Sequence, residues 1–190
     1  MLIRKEQLDT FRETALRAFE DRTYIHLLEY FPRHCALLGE EQMRRVIWHG
    51  WRKAQTYDLT AECCVRSYID FMCLLGGEFD TDPLLPWAAE ILNDKSTSDQ
   101  VARGDRLYDR AWVYINHIIP DYRDAAGQPT TARFVGELRK LRDLPDDPLT
   151  PDSIPQFSRS LMRWIESAFP AKYRYVGAGA VSRLVHAGIR

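Results

Sequence analysis

The stretch Leu74–Leu92, LLGGEFDTDPLLPWAAEIL, decides how the chain folds. The pair Gly76–Gly77 follows an apolar helical run and predicts its end, because glycine tolerates the left-handed conformation that often follows a helix. Pro86 predicts the first turn of the next helix, where a missing backbone donor costs nothing. Asp80 and Asp82 lie between them, and we expect these side chains to hold the turn by accepting hydrogen bonds from backbone amides.

Outside this stretch, apolar residues recur at three- and four-residue steps between capping residues, prolines and glycines, a pattern that predicts helices. The predicted ranges are 4–31, 40–57, 61–75, 86–92, 99–119, 132–144 and 156–169. Pro32 predicts the end of the first helix and Pro170 the end of the last. Gly39 precedes the second helix, and Thr60 is the predicted N-cap of the third. The short run Tyr173–Val176 is ambiguous, and no other segment shows a strand pattern.

The sequence therefore predicts an all-α fold, a compact bundle of about six to seven helices with a C-terminal tail. We expect a helical domain over residues 1–145, followed over 146–190 by a linker, an additional helix and a basic tail. Two predicted apolar stripes can be compared with the structure. The stripe of the first helix comprises Leu8, Phe11, Ala15, Phe19, Ile25, Leu28 and Phe31, and that of the fifth comprises Val101, Leu107, Trp112, Ile115 and Ile119.

The composition narrows the classes of function. With 190 residues, 45% hydrophobic and 28% charged, the chain can form a core, so global disorder is not expected. The net charge of -1 provides no long-range field for nucleic acid. We find neither an N-terminal signal pattern nor an apolar run of the roughly 20 residues that a membrane helix needs. These features favour a cytoplasmic protein that binds neither membrane nor nucleic acid.

The residue types that usually catalyse reactions or bind metals form no recognisable motif. None of the five histidines belongs to a metal-binding motif, and no nucleotide-binding or hydrolase motif is present. Adjacent Cys63 and Cys64 would point about 100° apart on a helix, so we expect them not to share a site. Asp80 and Asp82 form a carboxylate pair that suits Mg²⁺, but the turn-holding interpretation is favoured. We predict no enzyme activity, no metal and no cofactor.

Tryptophan offers the best candidate for a binding surface, because it is large, amphipathic and enriched in interfaces. Trp48 and Trp51 are three residues apart and share a helix face. We expect Trp51 and Trp87 to pack in the core, and Trp48 to be partly exposed. The candidate partner-binding residues in this region are Trp48 and its basic neighbours Arg44 and Arg45.

The tail Ala171–Arg190 supplies a second set of candidates, namely Tyr173, Tyr175 and Arg183. No acidic residue follows Glu166. Three interpretations remain open: a loose end, a short amphipathic helix that docks on a partner, or a contact with a membrane surface or nucleic acid.

Four segments together resemble a family of small helical proteins from bacterial type VI secretion effector clusters, encoded beside PAAR-repeat and VgrG spike proteins and their toxins. They are Phe31–His34 (FPRH), Leu38–Ile47 (LGEEQMRRVI), Tyr57–Glu62 (YDLTAE) and Cys73–Leu92 (CLLGGEFDTDPLLPWAAEIL). The resemblance covers about residues 1–120. Asp58 stands where the relatives commonly have glycine, a departure that bears on the turn at this point.

The resemblance implies an accessory protein of effector delivery, an adaptor or co-chaperone that binds another protein without catalysis. The implied partner is an effector chaperone, a toxin or a PAAR/VgrG spike component. The alternative is an immunity protein that binds and neutralises a cognate toxin. A third hypothesis is an enzyme or metal protein built around Asp80 and Asp82.

Overall fold

The computed structural model describes residues 5–97, 99–118, 120 and 150–188. Within these ranges it contains eight helices and no strand, which confirms the all-α fold. They are α1 (Lys5–Tyr30), α2 (Pro32–Thr56), α3 (Glu62–Leu75), α4 (Pro86–Leu92), α5 (Gln100–Ile118), α6 (Ile154–Ala168), α7 (Pro170–Val176) and α8 (Ala178–Gly188). The predicted helix over 132–144 and the predicted boundary at residue 145 lie outside the described residues.

The chain divides into two compact units. The first consists of residues 1–80 and 88–106, and the second of residues 81–87 and 107–190. Helices α1, α2 and α3 pack against one another in the first unit, and α6, α7 and α8 do so in the second. The predicted tail therefore contains two helices, and the ambiguous run Tyr173–Val176 lies in α7.

The core of the first unit is built from long apolar side chains on α1, α2 and α3. Leu27, Ile47, Tyr68 and Ile69 have at most 1% of their surface exposed. The predicted stripe of α1 is partly wrong, because Phe11, Ile25 and Leu28 are exposed while Thr23 and Leu27 are buried. In α5, Val101 and Trp112 are likewise exposed, whereas Leu107, Ala111 and Tyr114 are buried.

Pro32 has two roles, only one of which was predicted from the sequence. It ends α1, as predicted, but it also occupies the first turn of α2, where proline is well tolerated. The predicted second helix therefore begins eight residues too late, at residue 40 instead of Pro32. Gly39 interrupts α2 with a φ of 75° and a ψ of 164°, a conformation that an L side chain rarely adopts.

The connection between α2 and α3 is held by a side chain that lies far away in the sequence. Thr60 is not the N-cap of α3; Ala61 takes that position and makes no side-chain capping bond. Instead the Oε1 atom of Gln100 accepts hydrogen bonds from the backbone N–H groups of Thr60 and Ala61, at 2.8 and 2.9 Å. Asp58 adopts a φ of 56°, the left-handed conformation that glycine would adopt at lower cost.

Within Leu74–Leu92, the turn that follows α3 forms much as predicted. Gly76 follows α3 with a φ of 111°, and its carbonyl accepts a hydrogen bond from the backbone N–H of Phe79 at 3.1 Å. This turn buries the Phe79 ring, whose centroid lies 5.0 Å from that of Tyr68 and 6.0 Å from that of Phe71. The turn is thus anchored to α3 by aromatic packing.

Gly50 permits the close approach of α2 to α3. A Cβ atom at Gly50 would lie 2.6 Å from Cγ1 of Ile69 and 2.9 Å from Sδ of Met72. We expect Gly50→Ala to lower the free energy of unfolding by about 1–2 kcal/mol, because overpacking outweighs the gain in helix propensity. The matched control is Gly104→Ala in α5, where a Cβ meets nothing within 4 Å.

Chemical denaturation of the two variants measures this difference. We expect Gly104→Ala to be stabilised by about 0.5–1 kcal/mol, since alanine is the better helix former. Equal gains in both variants would show that α2 and α3 do not approach as closely as described.

Candidate functional site

Trp48 and Trp51 form a stacked pair on α2. Their ring centroids lie 4.8 Å apart with an interplanar angle of 15°. Trp48 is 44% exposed, as predicted, whereas Trp51, which was expected in the core, is only partly buried. Stacking fixes both indoles, so a partner would meet a rigid aromatic surface with little side-chain entropy left to lose.

A groove lies on each side of this tryptophan pair. One, of about 490 Å³, is lined by Trp48 and by α1 residues that include Leu16 and Arg17. The other, of about 620 Å³, is lined by Trp51, Leu16, Phe19 and Val65. Leu16 and Glu13 of α1 line both grooves, so the two grooves share one wall beside the tryptophan pair.

The charges around the grooves are largely paired within the chain. Arg44 contacts Asp21 at 2.8 Å, Glu40 at 2.9 Å and Glu20 at 3.2 Å, and its Cζ lies 5.1 Å from the centroid of Tyr24. Hydrogen bonds to these carboxylates, first of all Asp21, raise the pKa of Arg44.

Arg44 therefore ties α1 to α2. Arg45 is more exposed and pairs with Glu41 one helical turn away at 2.6 Å. Because such exposed pairs contribute little energy, the guanidinium of Arg45 can exchange its partner readily.

The three candidate residues of the tail belong to the second unit and have different environments. Tyr173 lines an apolar cavity of about 190 Å³, together with Leu84 and Val181. The Tyr175 ring packs against Tyr114, with centroids 5.3 Å apart, and its buried hydroxyl has no hydrogen-bond partner within the described part of the chain. Arg183 is exposed on α8.

Asp80 and Asp82 have separate roles. The Asp80 side chain is 1% exposed and contacts Lys53 Nζ at 2.7 Å and the Tyr57 hydroxyl at 2.9 Å. Asp82 instead accepts a hydrogen bond from the backbone N–H of Leu84 at 2.8 Å, the turn-holding contact predicted for it. Within the described residues, no group of three or more histidine, cysteine or acidic side chains could hold a metal ion.

Burial alone would raise the pKa of Asp80, but hydrogen bonds from Lys53 and Tyr57 outweigh it, so the pKa is lowered. Burial likewise acts to lower the pKa of Lys53, and the contacts with Asp80 and Glu78 reverse that effect. Burial, followed by the Asp80 carboxylate, raises the pKa of Tyr57 to about 12. At neutral pH the group is a charged pair with a neutral tyrosine, which makes it a structural anchor.

A polar pair between α1 and α3 was not predicted from the sequence. His26 Nε2 lies 2.9 and 3.0 Å from the two carboxylate oxygens of Asp70, 44 residues away in the chain. Both side chains are about one quarter exposed. Burial raises the pKa of Asp70, and the nearby His26 partly offsets that rise.

We expect His26→Ala to lower the free energy of unfolding near neutral pH by about 2 kcal/mol, because the partly buried carboxylate loses a charge-assisted partner. Without His26 the pKa of Asp70 rises further above its unfolded value. Stability of the variant therefore increases as the pH falls through that pKa, and its deficit against the wild type shrinks. Urea denaturation at several pH values tests this; a deficit that does not change with pH would contradict it.

The prediction that Cys63 and Cys64 do not share a site is wrong. Their Sγ atoms lie 3.8 Å apart at the start of α3, so the two side chains do converge despite the rotation between neighbouring helical positions. Cys63 is exposed and Cys64 is buried.

Comparison of the chain with protein-family models, curated proteins and solved structures gives no match. No helix in the described ranges combines the length and the apolar character that a membrane crossing requires.

Proposed function

We propose that this chain is a non-catalytic, protein-binding accessory factor that acts as an adaptor or co-chaperone in the loading of type VI secretion effectors. The main support for this proposal is the stacked, half-exposed Trp48–Trp51 pair beside two grooves. The resemblance of about residues 1–120 to accessory proteins of effector clusters, carried by the four segments quoted above, supports a role in this pathway. Such a factor would work in the cytoplasm, before the effector leaves the cell.

The chemistry of the surface favours a protein partner. Tryptophan is among the residues most enriched at the energetic centres of protein interfaces. The apolar side chains of Leu16, Phe19 and Val65 line the grooves beside the indoles, so a partner can insert apolar side chains there. Long side chains with paired charges form the rim, which suits reversible rather than permanent association.

The balance of charge supports recognition by shape more than by a long-range field. Arg17, Arg22, Arg44 and Arg45 each pair with a carboxylate of the same chain. The net charge of the whole chain is -1. A strongly basic toxin would be steered to an acidic inhibitor, so this balance favours the accessory role over the immunity role.

A genetic experiment separates the two roles. Deletion of the gene in its own bacterium is expected to abolish secretion of the neighbouring effector while the cells grow normally. Cell death that depends on the neighbouring toxin, and that is prevented by expressing this chain, would assign the immunity role instead. Unchanged secretion and unchanged survival would contradict both roles.

A further inference from the structure

The adjacent thiols of α3 form a feature that the proposed function does not use. Cys63 and Cys64 lie in the first turn of the helix, which begins at Glu62. Their sulfur atoms, 3.8 Å apart, are in hydrogen-bond contact. Cys63 is exposed to solvent, whereas only 6% of Cys64 is exposed. One thiol is thus open to a reagent and the other lies directly behind it.

We propose that Cys63 and Cys64 form a dithiol site for trivalent arsenic, with one arsenic–sulfur bond to each residue. An organic arsenoxide reacts with the two thiols to give a cyclic dithioarsinite and one molecule of water. Two S–H bonds and the arsenic–oxygen double bond break, two arsenic–sulfur bonds form, and both thiol protons leave with the oxygen. Arsenic remains trivalent, so the step needs neither oxidant nor reductant.

The surroundings of the thiols favour this class of reagent. Burial, followed by the neighbouring Cys63 thiol, raises the pKa of Cys64 to about 11, and the carboxylates of Asp99 and Asp105 contribute to the rise. Cys64 is therefore a protonated thiol at neutral pH, and reactions that need its thiolate are slow. A neutral arsenoxide meets no repulsion from the carboxylates and exchanges its oxygen for thiol sulfur with release of water.

The arrangement also favours attachment through both sulfur atoms. The exposed Cys63 thiol takes the first bond, after which the attack of Cys64 is intramolecular. A second attachment of this kind strengthens binding by roughly 10²-fold or more over a single one, because the local concentration of the second thiol is high. A two-thiol adduct should therefore survive an excess of a monothiol that removes one-thiol adducts.

The test uses phenylarsine oxide and the reduced chain, with intact-mass spectrometry in the presence of excess mercaptoethanol. We expect one phenylarsenic group per chain, released by dithiothreitol. Cys63→Ser and Cys64→Ala should each lose this monothiol-resistant adduct, with binding weakened at least roughly a hundredfold.

Cys35→Ala and Cys73→Ala are the matched controls, because they remove the two remaining cysteines, and Cys35 contributes to the raised pKa of Cys73. Both controls should keep the adduct. Its persistence in Cys63→Ser, or its loss in either control, would overturn the proposal. Because Cys63 is exposed, Cys63→Ser should fold normally, and it tests the proposal even if Cys64→Ala fails to fold.

Discussion

Replacement of Asp80 by alanine is expected to lower the free energy of unfolding by about 3–5 kcal/mol, the largest stability effect that we predict for a single polar side chain. The substitution leaves the ammonium group of Lys53, only 18% exposed, without its buried partner. It also removes the acceptor of the Tyr57 hydroxyl. Urea denaturation followed by circular dichroism measures the change.

The matched control is Asp82→Ala, which removes the other aspartate of the same turn. Asp82 accepts one backbone hydrogen bond, so its loss should cost only about 1 kcal/mol. Glu78→Ala removes the second partner of Lys53 at an exposed position and should cost less still. Equal effects at Asp80 and Asp82 would contradict the role of Asp80 as the buried anchor.

The pH dependence gives a second check on Asp80. Its pKa is lowered in the folded state, so the carboxylate contributes stability above its unfolded pKa of about 3.9, and this contribution is lost as the pH falls through the folded value. The difference between wild type and Asp80→Asn should therefore narrow below about pH 4. A difference that stays constant from neutral to acidic pH would show that ionisation of Asp80 does not matter.

Local signals in the sequence were sufficient for most helix ends. Pro32, Gly76, Pro86 and Pro170 act on their own backbone or on that of the preceding residue, so their effect can be read without knowing the fold. The same proline can also begin a helix, and the start of α2 was missed because Pro32 was interpreted only as a stop.

Features that depend on tertiary packing were not predictable from one sequence. The Gln100 side chain accepts hydrogen bonds from the backbone just before α3, 40 residues away in the chain, and the His26–Asp70 pair spans 44 residues. Periodicity also failed to show which apolar residues of α1 and α5 are buried, because both helices carry more apolar residues than one face can hold. Trp48 was predictable as exposed, but the α1 and α3 residues that line the grooves beside Trp48 and Trp51 were not.

We expect Trp48→Ala to weaken binding of the partner by about 2 kcal/mol, which corresponds to roughly 30-fold in Kd. The substitution removes the exposed indole from the stacked pair and leaves Trp51 without its ring neighbour. Folding should be affected less, by about 1 kcal/mol, because an aromatic pair contributes about 0.5–1.5 kcal/mol. Titration calorimetry with the purified partner measures the binding change.

Trp112→Ala is the matched control for this effect. Trp112 is 58% exposed on α5 and belongs to the second unit, so the variant also removes an exposed tryptophan but leaves the grooves intact. We expect its Kd to remain within about twofold of the wild-type value, since most interface-remote surface changes are nearly neutral. Equal weakening by both variants would show that Trp48 is not the specific anchor.

The most direct test of the central claim is co-purification of the tagged chain with the products of its neighbouring genes, expressed together. The proposed adaptor role predicts a stable complex with an effector chaperone, a toxin or a spike component, which Trp48→Ala weakens and Trp112→Ala retains. Failure of the wild-type chain to associate with any of these products would contradict that role.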